Sequence, residues 1–129
     1  MVKIAVVEDD ESIARMYKMR LEQAGYEIGV AGNGREGLEL CEKMKPDLAM
    51  VDVMMPEVGG LEMIEEMQKT EWGKKPLVML LTNLSQQEAK VDRAKQRIDG
   101  FAVKAYYTPT QLLEKVNDLL RENNLIPKR

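Results

Sequence analysis

Glu8, Asp9 and Asp52 offer carboxylates, Thr82 a hydroxyl and Lys104 an ammonium. Three carboxylates drawn into one crevice repel one another unless a proton or a cation neutralises them. A donor set made only of oxygen, in a partly open crevice, selects a hard divalent ion. Mg²⁺ keeps several waters and pairs carboxylates with phosphate oxygens, which suits such a site better than Ca²⁺, which takes more protein ligands. Lys104 and Thr82 then supply a point charge and a hydroxyl donor suited to an incoming phosphoryl group. Stabilising the charge on a transferring phosphoryl with a metal and a lysine is most of what that reaction asks of a protein. Asp52, alone at the end of its apolar run, is the natural nucleophile.

Composition removes the competing chemistries. The chain has no histidine and one cysteine, Cys41, which excludes Ser-His-Asp and Cys-His catalysis, an imidazole base and a structural zinc site. A net charge of -3 gives no electrostatic case for direct binding to nucleic acid or an anionic membrane. No apolar run approaches the roughly 20 residues of a membrane span. The apolar start, Met1 to Val7, turns acidic at Glu8, too soon for a signal peptide. A lone cysteine fits a reducing compartment, so a cytoplasmic location is expected.

The reactive residues must be brought together by the elements that carry them. Ile4-Ala5-Val6-Val7 runs into Glu8-Asp9-Asp10, Leu48-Ala49-Met50-Val51 into Asp52, Leu77 to Leu81 into Thr82, and Phe101-Ala102-Val103 into Lys104. Short, unalternating apolar runs separated by helical patterns predict buried strands of a parallel sheet. Strands of one direction end on one edge, where open α/β sheets bind their ligands. Tyr26 to Ala31 predicts a shorter, more polar strand suited to an edge. Asp10 is the expected cap of a first helix whose inward stripe is Ile13, Met16, Tyr17, Leu21 and Ala24, ended by Gly25. Asn33 with Glu36 predicts a second helix, with Leu38 and Cys41 facing inward. Met55 to Gly60 predicts a loop, followed by a third helix with Leu61, Ile64 and Met67 inward. Ser85 with Glu88 predicts a further helix with a thin apolar face (Ala89, Val91, Ala94, Ile98) and charged flanks (Lys90, Arg93, Lys95, Arg97). Thr108-Pro109 starts the last helix, whose inward residues are Leu112, Leu113, Val116, Leu119 and Leu120. The expected fold is α/β: a flavodoxin-like (βα)₅ three-layer sandwich around a five-stranded parallel sheet of order 2-1-3-4-5.

With these residues in place the chain resembles the receiver domain of bacterial two-component response regulators, of the single-domain chemotaxis-regulator type. Asp52 matches the phosphoacceptor of the pattern Asp-x-x-Met-Pro-x-x-x-Gly, here Asp52-Val53-Met54-Met55-Pro56-Glu57-Val58-Gly59-Gly60. Glu8-Asp9, Thr82 and Lys104 stand at the family's intervals from it, as acidic pair, switch hydroxyl and essential lysine. Phe101 holds the place of the rotameric aromatic. The resemblance implies that Asp9, Asp52 and the Met54 carbonyl ligate Mg²⁺, with Glu8 acting through water. It implies that Asp52 takes a phosphoryl group from a sensor histidine kinase or histidine phosphotransfer protein. Thr82 moving inward would let Phe101 rotate and alter the face made by the helix from Ser85, the strand at Phe101 and the last helix. A downstream target protein, or a second copy forming a homodimer, is expected on that face. The receiver is expected over residues 1–124 with a C-terminal tail at 125–129, no output domain, and the behaviour of a phosphoacceptor switch rather than a turnover enzyme.

The chain departs from the family's pattern at three places. Ala105 follows Lys104 where proline after a cis bond is usual; either a cis bond to alanine stands there, at roughly 2.5–4 kcal/mol, or the loop takes another course. Asn83 follows Thr82 where a small residue is usual. Arg97-Ile98 replaces Gly-Ala, so the helix from Ser85 lacks its glycine cap. Met54 and Leu84 are apolar and cannot orient an attacking water, which predicts slow self-dephosphorylation. Ala105 and Asn83 leave a second reading, a pseudo-receiver that binds partners without phosphorylation. A flavin carrier of the same fold would need a glycine-rich phosphate loop where Glu8-Asp9-Asp10-Glu11 stands. A haloacid-dehalogenase-like phosphatase would want an aspartate at Met54.

Overall fold

The computed structural model describes residues 1–83 and 97–128. Five strands, β1 (Lys3–Val7), β2 (Glu27–Ala31), β3 (Leu48–Asp52), β4 (Leu77–Thr82) and β5 (Gly100–Val103), form one sheet of order β2-β1-β3-β4-β5. Every pairing is parallel. The described helices are α1 (Glu11–Gln23), α2 (Gly34–Met44), α3 (Gly60–Gln68) and α4 (Pro109–Glu122). This is the flavodoxin-like three-layer sandwich that the strand runs predict.

Successive strand residues point to opposite faces, and both faces are covered, which is why the central strands read as unbroken apolar runs. Ile4, Val6, Leu48, Met50, Met79 and Leu81 pack under α1 and α4, against Tyr17, Leu21, Leu112, Val116 and Leu120. Ala5, Val7, Ala49, Val51, Val78 and Leu80 pack under α2 and α3, against Cys41, Met63, Ile64 and Met67. The polar strand β2 lies at the edge, with Glu27 and Val30 exposed.

The helix starts are those the capping residues predict. The Asp10 side chain accepts the amides of Ser12 and Ile13, and Asn33 accepts that of Glu36. Thr108 and Gln111 cap each other reciprocally at the start of α4. Two inward stripes differ from expectation. In α1 the buried residues are Ala14, Tyr17 and Leu21, while Met16 is 42% exposed. In α3 Met63 is buried beside Ile64 and Met67, and Leu61 is only half-buried. In both cases two stripes one or two positions apart fit the helical period, and the packing against the sheet selects between them.

Leu84 and the helix predicted from Ser85, with Glu88, Ala89, Lys90, Val91, Arg93, Ala94 and Lys95, lie outside the described residues. Beyond it, Ile98 is buried and Arg97 is anchored by its guanidinium to the carbonyl oxygens of Lys74 and Pro76. The Gln68 side-chain amide donates to the Arg97 carbonyl at 3.1 Å, so the chain enters β5 held from both sides. No described helix is long and apolar enough to cross a membrane.

Candidate functional site

Register places the reactive residues at the carboxyl edge. Val7 is paired with Val51, Asp52 with Leu81, and Thr82 with Val103. Glu8, Asp52, Thr82 and Lys104 therefore leave four neighbouring strand ends at one level. Glu8, Asp52 and Thr82 are the buried polar residues among those described. Asp9 is exposed, at the rim of the same cluster.

Lys104 spans the pocket. Its ammonium donates to Asp52 Oδ2 at 2.8 Å and to Glu8 Oε1, an ion pair on each side. The three side chains are close to solvent-free, at 11% exposure for Lys104, 1% for Glu8 and 7% for Asp52. Burial is the largest influence on Glu8 and raises its carboxyl above the ordinary range; the Lys104 hydrogen bond opposes this, and Asp52 adds to it. Burial acts to lower the Lys104 ammonium, but the two carboxylates outweigh it and hold it above its ordinary value. Asp9 is raised by partial desolvation and by the neighbouring Glu8. The lysine therefore carries its charge and neutralises much of a pocket that would otherwise be strongly anionic.

Asp52 is fixed by the loop that follows it. Its Oδ1 accepts the Met54 amide at 3.1 Å, and Met54 itself is 63% exposed. The loop then folds back until the Gly60 amide donates to the Val53 carbonyl. A Cβ at Gly60 would lie 2.2 Å from the Asp52 carbonyl oxygen, so only glycine permits that return. Phe101, half-buried on β5 and paired with Leu80, packs on the α2–α3 side of the sheet. Thr82, 1% exposed, ends β4 beside it.

Carboxylate oxygens of Glu8, Asp9 and Asp52 lie within 4.8 Å of one another. An all-oxygen set of this size fits a hard divalent cation such as Mg²⁺. The Lys104–Ala105 peptide is trans, and Lys104 opens a short 3₁₀ turn to Tyr106. This settles the alternatives left by Ala105 in favour of a different loop course. The sequence shows Asn83 and Ala105 only as separate departures; in the structure they touch, the Ala105 amide donating to Asn83 Oδ1 at 3.1 Å. Nothing in residue type or periodicity marks two loop residues as partners across strands, so this contact is not readable from the sequence.

Comparison with known proteins supplies the family. Residues 4–117 match the model of the response regulator receiver domain. The chain is 30% identical over 128 residues to the DNA-binding dual master transcriptional regulator RpaA of Synechocystis, covering 99% of this chain and 53% of that protein. It is 31% identical over 116 residues to the chemotaxis protein CheY of Thermotoga maritima, covering 89% of this chain and 94% of that one. The chain thus spans about half the length of the transcriptional regulators among these relatives and nearly all of the chemotaxis protein. Among solved structures, the Thermotoga maritima response regulator protein TrrA in complex with Mg²⁺-BeF superposes with a TM-score of 0.79 at 34% identity, over 93% of this chain and all of that one. With sheet order, pocket and family model in agreement, this chain belongs to the response regulator receiver domain family.

Proposed function

We propose that the protein is a phosphoacceptor switch that takes a phosphoryl group on Asp52 from a sensor histidine kinase or histidine phosphotransfer protein and signals by protein–protein contact. In this reading residues 1–124 are the receiver unit. These residues contain no histidine, so the donor imidazole lies outside them. The observation that carries the reading is the Lys104 ammonium held between Asp52 and Glu8 in a nearly dry pocket. A carboxylate so placed is oriented and partly neutralised, and an ammonium is at hand for the oxygens of an incoming group.

Asp9, Asp52 and the Met54 carbonyl are the residues that would hold Mg²⁺, with Glu8 acting through water. The ion would supply positive charge against the phosphoryl oxygens. An Asp52 oxygen attacks phosphorus, the bond from phosphorus to the donor nitrogen breaks, and the imidazole leaves with that electron pair. Lys104 exchanges Asp52 for a phosphoryl oxygen, and Thr82 donates its hydroxyl to another. Phe101 is the proposed relay to the face formed with β5 and α4, where a downstream target or a second copy would bind. The likeness to a receiver solved with Mg²⁺-BeF supports the metal requirement.

Incubation with acetyl phosphate and Mg²⁺, read by intact mass, tests this. The wild type should gain one phosphoryl group and Asp52→Asn none. No Asp52-dependent gain would leave the pseudo-receiver reading in its place.

A further inference from the structure

The last ladder pair between β4 and β5 is Thr82 with Val103. One residue further on, the Asn83 side chain accepts the Ala105 amide at 3.1 Å and adds a rung that the main chain of β4 no longer supplies. Lys104 lies between these two ties. Its backbone is held by the sheet on one side and by Asn83 on the other. The donor exists only because residue 105 is not proline, which has no amide hydrogen. The two departures are therefore one feature.

The turn is anchored at its two ends, by the Lys104 ion pairs and by Tyr107 packed against the core under the Lys115 ammonium, while its middle is held less firmly. Its own bond runs locally, from the Tyr107 amide to the Lys104 carbonyl at 3.3 Å. On the α1 side it borders a cavity of about 250 Å³, lined by Tyr17, Asn83, Lys104, Ala105 and Tyr107 among others. Ala105 and Tyr106 are exposed. Ala105 and Tyr106 stand between those two anchors, so loss of the cross-strand bond loosens the segment that carries the Lys104 backbone. Lysine reaches its target through a flexible four-carbon stem, so the position of its ammonium depends on where its backbone is held.

We propose that Asn83 is a positioning residue for Lys104: by binding the Ala105 amide it fixes the Lys104 backbone over the pocket and so sets the rate at which Asp52 accepts a phosphoryl group. This rests on the phosphoacceptor reading of Asp52. The bond is solvent-exposed and contributes little to global stability. Its effect falls on the reaction, where a displacement of about 1 Å in a group that meets the transferring atoms costs up to a hundredfold.

The test uses Asn83→Ala and Asn83→Leu, the second keeping bulk without an acceptor, with acetyl phosphate as donor in Mg²⁺. Both variants should show faster hydrogen exchange at the Ala105 amide by NMR. Both should take up phosphoryl roughly two- to tenfold more slowly at saturating donor, the range expected for one lost hydrogen bond, with the half-saturating concentration unchanged. Uptake at or above the wild-type rate in either variant overturns the proposal; a faster Ala variant would show that Asn83 acts by crowding the phosphoryl site. A wild type that takes up no phosphoryl, as Asp52→Asn should not, removes the Asp52 reading itself. Wild-type uptake with unchanged variants removes only the role of Asn83.

Discussion

At the scale of single residues, the pocket's charge balance gives Lys104 a structural role beside the one proposed for it in phosphoryl transfer. Lys104→Met leaves Glu8 and Asp52 facing each other without their shared cation, both nearly buried. Removing one partner of such a pair costs about 3 kcal/mol, because the remaining charge stays desolvated. Denaturant unfolding of Lys104→Met at neutral pH should show a loss of that order. Added Mg²⁺ should recover part of it, since the ion can neutralise the same carboxylates. A variant as stable as the wild type would mean that Glu8 simply takes up a proton. Cys41 gives a second residue-level expectation. It is fully buried in α2, and burial pushes its thiol up to about 12. The folded state thus holds the proton that an unfolded thiol, near 8.5, gives up. The sign follows: this contribution to stability is whole below about pH 8.5 and declines as pH rises toward 12, by roughly 1.4 kcal/mol per pH unit. In the near-neutral range the direct readout is alkylation. Folded protein at pH 8 should resist iodoacetamide, and denatured protein should react at once.

At the scale of elements, the loop from Asp52 to Gly60 and the start of α4 do the positioning. Gly60 opens α3 with its α-carbon pressed against the end of β3. Gly60→Ala therefore forces either the helix or the Asp52 carbonyl to move, and a clash with backbone atoms cannot be relieved by turning a side chain. Thermal unfolding should show a loss of about 2 kcal/mol or more, and phosphoryl uptake should fall with it because Asp52 shares the displaced segment. Thr108 acts more locally. Its side chain accepts the Gln111 amide at 3.1 Å, and the Thr108 amide donates to Gln111 Oε1 at 2.9 Å. Thr108→Ala should cost about 1 kcal/mol, measured by denaturant midpoint, while Leu112, Leu113, Val116, Leu119 and Leu120 keep α4 on the sheet. A loss much above that would mean that the cap also braces the turn after Lys104.

At the scale of the whole molecule, most of the architecture is legible because a parallel sheet buried on both faces leaves a distinctive mark: apolar runs that stop at a common edge. Glu8, Asp52, Thr82 and Lys104 are found from those stops alone, and the structure brings them together. What the sequence does not carry is the choice between equivalents. Ala14 rather than Met16 faces the core because the sheet decides which of two helical stripes it accepts. The bond between Asn83 and Ala105 depends on the course of two turns that no periodicity describes. Nor does residue type say that Lys104 bridges both acids. That bridge links the site to global stability. Without metal, one ammonium serves two carboxylates, and Asp9 remains outside the pairing, exposed and unneutralised by Lys104 contact. A cation that binds the folded pocket and not the unfolded chain stabilises by RT ln(1 + [L]/Kd), about 2.7 kcal/mol at a hundredfold excess over Kd. Mg²⁺ titration followed by thermal unfolding should raise the Tm in a saturable way, and a chelator should reverse it. Asp9→Asn should abolish most of the rise while leaving the metal-free Tm at or above that of the wild type, because it removes an acid that forms no ion pair among the described residues and sits beside Glu8. A Tm indifferent to Mg²⁺ in the wild type would mean that Lys104 already satisfies the pocket and that the acidic cluster serves folding rather than metal binding.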